Sequence, residues 1–166
     1  MQKTVKILLY VFFVIYCLAL VKFLLLDGRY INHTATIGDF FSRSNLIPFK
    51  TVWNFIERLK QDSINVDIVI KNIVGNLIVL FPMGCFLPCM FQKCRKYPKV
   101  LAVCFCIVLF VELLEPLLRM GYLDIDDFIF NLSGASLGYL FVHIPFLNKL
   151  LKKTYIYTAS VNTLTS

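Results

Sequence analysis

Residues 112–134 read ELLEPLLRMGYLDIDDFIFNLSG and put five carboxylates, one arginine and one asparagine between two apolar runs. Acids at that density can do three kinds of work. Paired carboxylates can exchange protons as general acid and base. The oxygens of Asp124, Asp126 and Asp127 suit a hard cation such as Mg2+ or Ca2+. Acids buried between helices can also serve as interhelical hydrogen-bonding partners. No Gly-rich phosphate loop, nucleophile elbow or internal repeat accompanies them, and no cofactor or bound metal is assigned from the sequence.

Their spacing is helical. Glu112, Glu115 and Arg119 are three and four residues apart and share one helix face. Asp127, Asn131, Gly134 and Gly138 follow the same rule, and Asn72 and Asn76 lie four apart with Gly75 beside them. Three helices are thus expected to present polar stripes to one another. The pair Gly134 and Gly138, small-x-x-x-small, is read as close packing within the bundle, with a contact between copies of the chain as the alternative.

The solvent for these stripes follows from composition. The chain has 166 residues, 58% hydrophobic and 16% charged, against about 45–50% and about 25% for a soluble domain. A membrane span needs about 20 mainly apolar residues. Four segments qualify, residues 7–26, 68–90, 100–118 and 128–147, and the fold class expected is an all-α integral membrane protein with four transmembrane helices. The first segment is longer than a signal-peptide core and lacks a small-x-small cleavage pattern, so it is read as a retained helix.

Charge sets the orientation. Lys3 and Lys6, then Lys93, Arg95, Lys96 and Lys99, then Lys149, Lys152 and Lys153 fall at one end, where no acid occurs. The positive-inside rule puts that end and both termini in the cytoplasm. The net charge of +7 is then an orientation signal and an attraction for anionic lipid, not a nucleic-acid footprint. All three polar stripes fall at the opposite, outer end. Ionised acids in a span cost about 2.5–3.5 kcal/mol each at its centre, so they need partners or a ligand, and Arg119 is one candidate partner.

The long outer segment, residues 27–67, contains NLIPFKTVWNFIERLK. Val52, Phe55, Ile56 and Leu59 recur at helical spacing among charged residues, which predicts a short amphipathic helix on the outer surface, begun by Asn45 and Pro48. The six cysteines match no zinc spacing and are read as small apolar packing residues. His33 and His143 stand alone. Residues 1–153 form the membrane unit and 154–166 a polar cytoplasmic tail.

Taken in order, NLIPFKT, NIVGNLIVLFPMGCFLP and ELLEPLLRMGYLDIDDFIFNLSGASLGY resemble the VanZ-like family of bacterial membrane proteins, over residues 7–147. The residues carrying the resemblance are Asn45, Pro48 and Phe49 in the first motif. In the second they are Asn72, Asn76, Phe81, Pro82, Gly84, Leu87 and Pro88, of which Pro82, Gly84 and Pro88 join Gly75 as expected packing positions. The third contributes Glu112, Asp124, Asp126, Asp127, Asn131, Gly134 and Gly138. Two departures stand out: Glu115 occupies the place of the family's usual glutamine, and Arg119 lies earlier than its usual arginine. The resemblance implies a multi-pass protein of the Gram-positive plasma membrane, linked through the family's founding member to low-level teicoplanin resistance. Implied partners are membrane lipids and either teicoplanin or a lipid-linked wall precursor. The remaining readings are an enzyme acting on a lipid-linked precursor or phospholipid head group, and a small transporter or ion pathway.

Overall fold

The structure is a computed structural model in which residues 2–25, 38, 42–117 and 122–153 are described, without the side chains of residues 2, 3, 24, 25, 115–117, 150, 152 and 153. Arg119, the Glu115 side chain, His33 and the tail 154–166 lie outside the described residues. The described chain is helical: α1 (Gln2–Leu25), α2 (Lys50–Lys60), α3 (Val66–Val79), α4 (Phe81–Met90), a 3-10 turn (Gln92–Cys94), α5 (Tyr97–Leu117), α6 (Ile125–His143) and α7 (Pro145–Lys153).

Among the described residues, three helical stretches are long and apolar enough to cross a membrane: Thr4–Phe23 in α1, Val66–Met90 across α3 and α4, and Tyr97–Leu114 in α5. The fourth expected span corresponds to α6, which is not one of the three. Asp126, Asp127 and Asn131 in its first turns lower its mean hydropathy, and the helix ends at His143 before Pro145 begins α7.

Residues 68–90, expected as one helix, break at Leu80. Pro82 explains the break, because it has no N–H to give to the carbonyl one turn earlier and its ring crowds that turn. The end of α3 is left with carbonyls lacking helical donors. The Tyr16 hydroxyl of α1 donates to one of them, the Val79 carbonyl, at 2.8 Å, and the Gly84 N–H reaches the Leu80 carbonyl at 3.1 Å. Pro88, inside α4, is buried.

The central element is α6, on which α3, α4 and α5 all pack. Its buried positions include Phe128, Asn131, Ala135, Gly138 and Val142, a single helical stripe. Three glycines set the approach distance. A Cβ on Gly134 would lie 1.9 Å from the Leu77 carbonyl oxygen, one on Gly138 2.0 Å from that of Phe81, and one on Gly84 2.0 Å from that of Ala135. Backbone thus touches backbone, as small residues permit in membrane helices. A Cβ on Gly75 would meet only the Phe23 ring, at an ordinary 3.8 Å.

The pairings fix relative directions. Leu77 with Gly134 and Phe81 with Gly138 make α3 and α4 parallel to α6. Tyr97 with Ser136 and Phe105 with Phe128 make α5 antiparallel. Phe13 against Phe91, and Tyr16 against Phe86 and the Val79 carbonyl, make α1 antiparallel to α4. The helices therefore alternate, and the start of α1, the 3-10 turn and α7 gather at one end. The start of α6 and α2 gather at the other.

Candidate functional site at the junction of α2 and α6

At that second end the chain from Ser44 to Lys50 makes a turn whose shape is set by Asn45. Its side-chain oxygen accepts the Ile47 N–H at 3.1 Å, an Asx turn. Its backbone pairs with the strand-like residues before α6: Asn45 N–H to the Leu123 carbonyl at 2.8 Å, and Ile125 N–H back to the Asn45 carbonyl at 2.9 Å. After Pro48 the chain enters α2 through Phe49, whose φ of 63° lies in the left-handed region.

The start of α2 has orphan N–H groups; that of Lys50 reaches the Ile47 carbonyl at 3.2 Å, and no N-cap side chain takes the others. Asp126 does. Its carboxylate accepts the N–H of Phe49, that of Thr51 at 2.9 Å and that of Val52 at 3.4 Å, across 74–77 residues of sequence. Asp126 is 1% exposed. The N-terminal dipole of α2 favours a negative group at that place.

Asp124 performs the same service at the start of α6, accepting the Asp126 N–H at 2.9 Å. It also accepts the Asn45 amide at 3.0 Å and the Thr51 hydroxyl at 2.5 Å. Asn45 in turn donates to the Thr51 hydroxyl at 3.1 Å. Two helices thus meet N-terminus to N-terminus across two aspartates. Thr51 belongs to this network, and sequence reasoning missed it. A threonine two residues after Phe49 could have been suspected as a cap, but nothing in its spacing pointed to Asp124.

Asp127, the next residue, turns toward α3 and accepts the Asn76 amide. Asn131 donates to the Asp127 carbonyl at 2.8 Å, leaving its own buried Oδ1 without a hydrogen-bond partner. Asn72, one turn from Asn76, has no recorded hydrogen bond among the described residues and is not brought into the network. Glu112 is 3% exposed and accepts the Asp124 N–H at 3.2 Å. Glu112 thus holds the main chain just before α6, while Asp127 lines a cleft open to solvent.

That cleft encloses about 630 Å3. Its charged lining is two cations, Arg43 and Lys50, and two carboxylates, Asp124 and Asp127, with Asn54 and Tyr122 beside them. Arg43 donates to the Tyr122 hydroxyl at 3.0 Å and stacks over its ring at 5.7 Å. Asp126 and Glu112 are committed to backbone N–H groups; the cleft has both signs in its lining.

A family model described as VanZ/LLP1 matches residues 13–147. The chain belongs to the VanZ/LLP1 family. With three apolar helices able to span a bilayer, it is a membrane protein of that family. The matched stretch takes in every residue of the α2–α6 junction and of the cleft. Searches of curated proteins and of solved structures give no match.

Proposed function

We propose that this VanZ/LLP1 protein crosses the membrane four times, with α6 as the fourth span and both termini cytoplasmic, and that it lowers glycopeptide action, teicoplanin in particular, at the outer surface. The alternating helix directions and the grouping of Lys6, Arg95 and Lys96 away from Asp124, Asp126 and Asp127 support that topology. In this arrangement α2 lies in the head-group layer. The exposed side chains of Leu46, Ile47, Phe49 and Trp53 dip into lipid, while the charged residues of α2 remain in water.

The observation that carries the functional reading is the cleft lined by Arg43 and Lys50 opposite Asp124 and Asp127. Ligands with both signs, such as a phospholipid head group or the phosphate and peptide portions of a lipid-linked wall precursor, find matching groups there. Engaging that material at the outer leaflet would keep a membrane-inserting glycopeptide from its target. Asp127→Asn is the direct test. It preserves shape and the oxygen that accepts from Asn76 but removes the charge, so insertion becomes easier. Protection against teicoplanin should fall while membrane abundance holds. Undiminished protection at normal abundance would leave the cleft without a role.

An enzyme reading is favoured by one observation, the Asn131 Oδ1 buried without a donor beside Asp127, since a catalytic role is one reason such a group persists. Mass spectrometry of lipid-linked precursors and membrane lipids, with and without the protein, separates the two readings. A binder leaves their composition unchanged, and an enzyme does not.

A further inference from the structure

At the end of the molecule opposite this cleft, a groove of about 950 Å3 runs along α5. It begins among Lys93, Lys96 and Lys99 and continues over Ala102, Val103, Cys106, Ile107 and Phe110. On α5 itself, positions 99, 102, 103, 106, 107 and 110 form one face at helical spacing. From Lys99 to Phe110 the helix rises about 16 Å at 1.5 Å per residue. One leaflet of a bilayer's hydrocarbon core is about 15 Å deep. The groove therefore has the length of a single acyl chain, with three ammonium groups at its head.

Among the described residues, none supplies those ammonium groups with a counter-charge. Between Asp67 and Glu112 the sequence contains no acid, and none occurs before Asp27 or after Asp127. The charged residues that line the neighbouring hollow at this end, Lys6 and Arg95, are also basic. Among the described residues no ion pair engages Lys93, Lys96 or Lys99. None of the described residues supplies the anion that would complement them, and a lipid phosphate has the charge to do so. We infer that this groove binds one anionic phospholipid, its phosphate among Lys93, Lys96 and Lys99 and one acyl chain along Ala102, Cys106 and Phe110. This site shares no residue with the α2–α6 cleft and does not depend on the function proposed for it.

Native mass spectrometry of the full-length protein, released from vesicles of equal parts phosphatidylglycerol and phosphatidylcholine, reads the bound lipid directly. The wild type should retain phosphatidylglycerol in preference to phosphatidylcholine. Each lysine near an anionic surface contributes about fivefold, so Lys93→Gln, Lys96→Gln and Lys99→Gln together should reduce that preference at least about tenfold. Diffuse surface attraction would give the same result, so a second variant is needed. Cys106→Trp keeps every charge and fills the groove on the lipid-facing side, and it too should abolish retention of the lipid. If only the lysine variant loses the preference, the lysines attract lipid without a built site and the inference falls. It falls equally if neither variant changes retention. A disulfide forming between Cys106 of two copies in oxidised membranes would show a second chain, not a lipid, on this face.

Discussion

Asp126→Asn should loosen α2 from the bundle without unfolding the bundle itself. In the native protein one carboxylate oxygen accepts the Phe49 N–H and the other accepts Thr51 and Val52. An asparagine keeps one acceptor oxygen and replaces the other with an NH2 donor. Two main-chain N–H groups of α2 would then face a donor at a position only 1% exposed. Hydrogen bonds to a charged group are worth about 1.5–3 kcal/mol each. The Val52 bond, at 3.4 Å, lies beyond ordinary N–H···O lengths and contributes little. Water can hydrate the released N–H groups once α2 tilts, because none of its residues is buried. A net loss of about 2–3 kcal/mol in the docking of α2 results. At 1.36 kcal/mol per tenfold, this corresponds to roughly 30- to 160-fold faster exchange of the amides in α2. Hydrogen exchange read by mass spectrometry on protein in lipid nanodiscs measures that ratio peptide by peptide. Peptides from α5 and the second half of α6 should be unchanged. Protection of residues 50–60 within threefold of the wild type would refute the clamp.

Other perturbations have equally definite outcomes. Gly134→Ala places a methyl against the Leu77 carbonyl and should cost more than the 1–3 kcal/mol typical of overpacking, visible as lost folded protein in membranes. Gly75→Ala, with its new atom in ordinary contact, should leave abundance and melting temperature unchanged or slightly improved. Thr51→Val removes a hydroxyl donor from Asp124 while keeping shape and should destabilise the junction by about 1–3 kcal/mol; Thr51→Ser should restore it, as read by melting temperature in detergent. For the topology, single cysteines at positions 50 and 122 should react with an impermeant maleimide in intact cells and one at position 96 should not. Labelling at 96 would invert the orientation.

Much of this architecture is visible in periodicity. The four-residue steps from Asn72 to Asn76 and from Asp127 to Asn131 mark faces that look inward, and Asn76, Asp127 and Asn131 are hydrogen-bonded together. Asn72 repeats the step without joining them, because periodicity assigns a face but not the length over which two helices touch. The sequence carried the sign of the helix break in Pro82, yet a continuous apolar run of the right length overrode it. Glu112 is placed by spacing on one face with Glu115 and Arg119, and what a helical wheel omits is the chain around it: the turn before α6 brings the Asp124 N–H to its carboxylate. The clamp on α2 was the least legible feature. Its donors are backbone N–H groups, which every residue but proline possesses, so no residue type at 49, 51 or 52 announces an acceptor more than 70 positions away.

That use of main-chain donors has an evolutionary consequence. Asp126 holds α2 by groups common to almost any helical sequence, and its grip is indifferent to what the exposed side chains of Glu57, Arg58 and Lys60 happen to be. Attachment and display are therefore under separate selection. A lineage can rewrite the outward surface of this helix, one residue at a time, to meet a different envelope or a different antibiotic. The join beneath it stays intact as long as Asn45, Thr51 and the two aspartates remain.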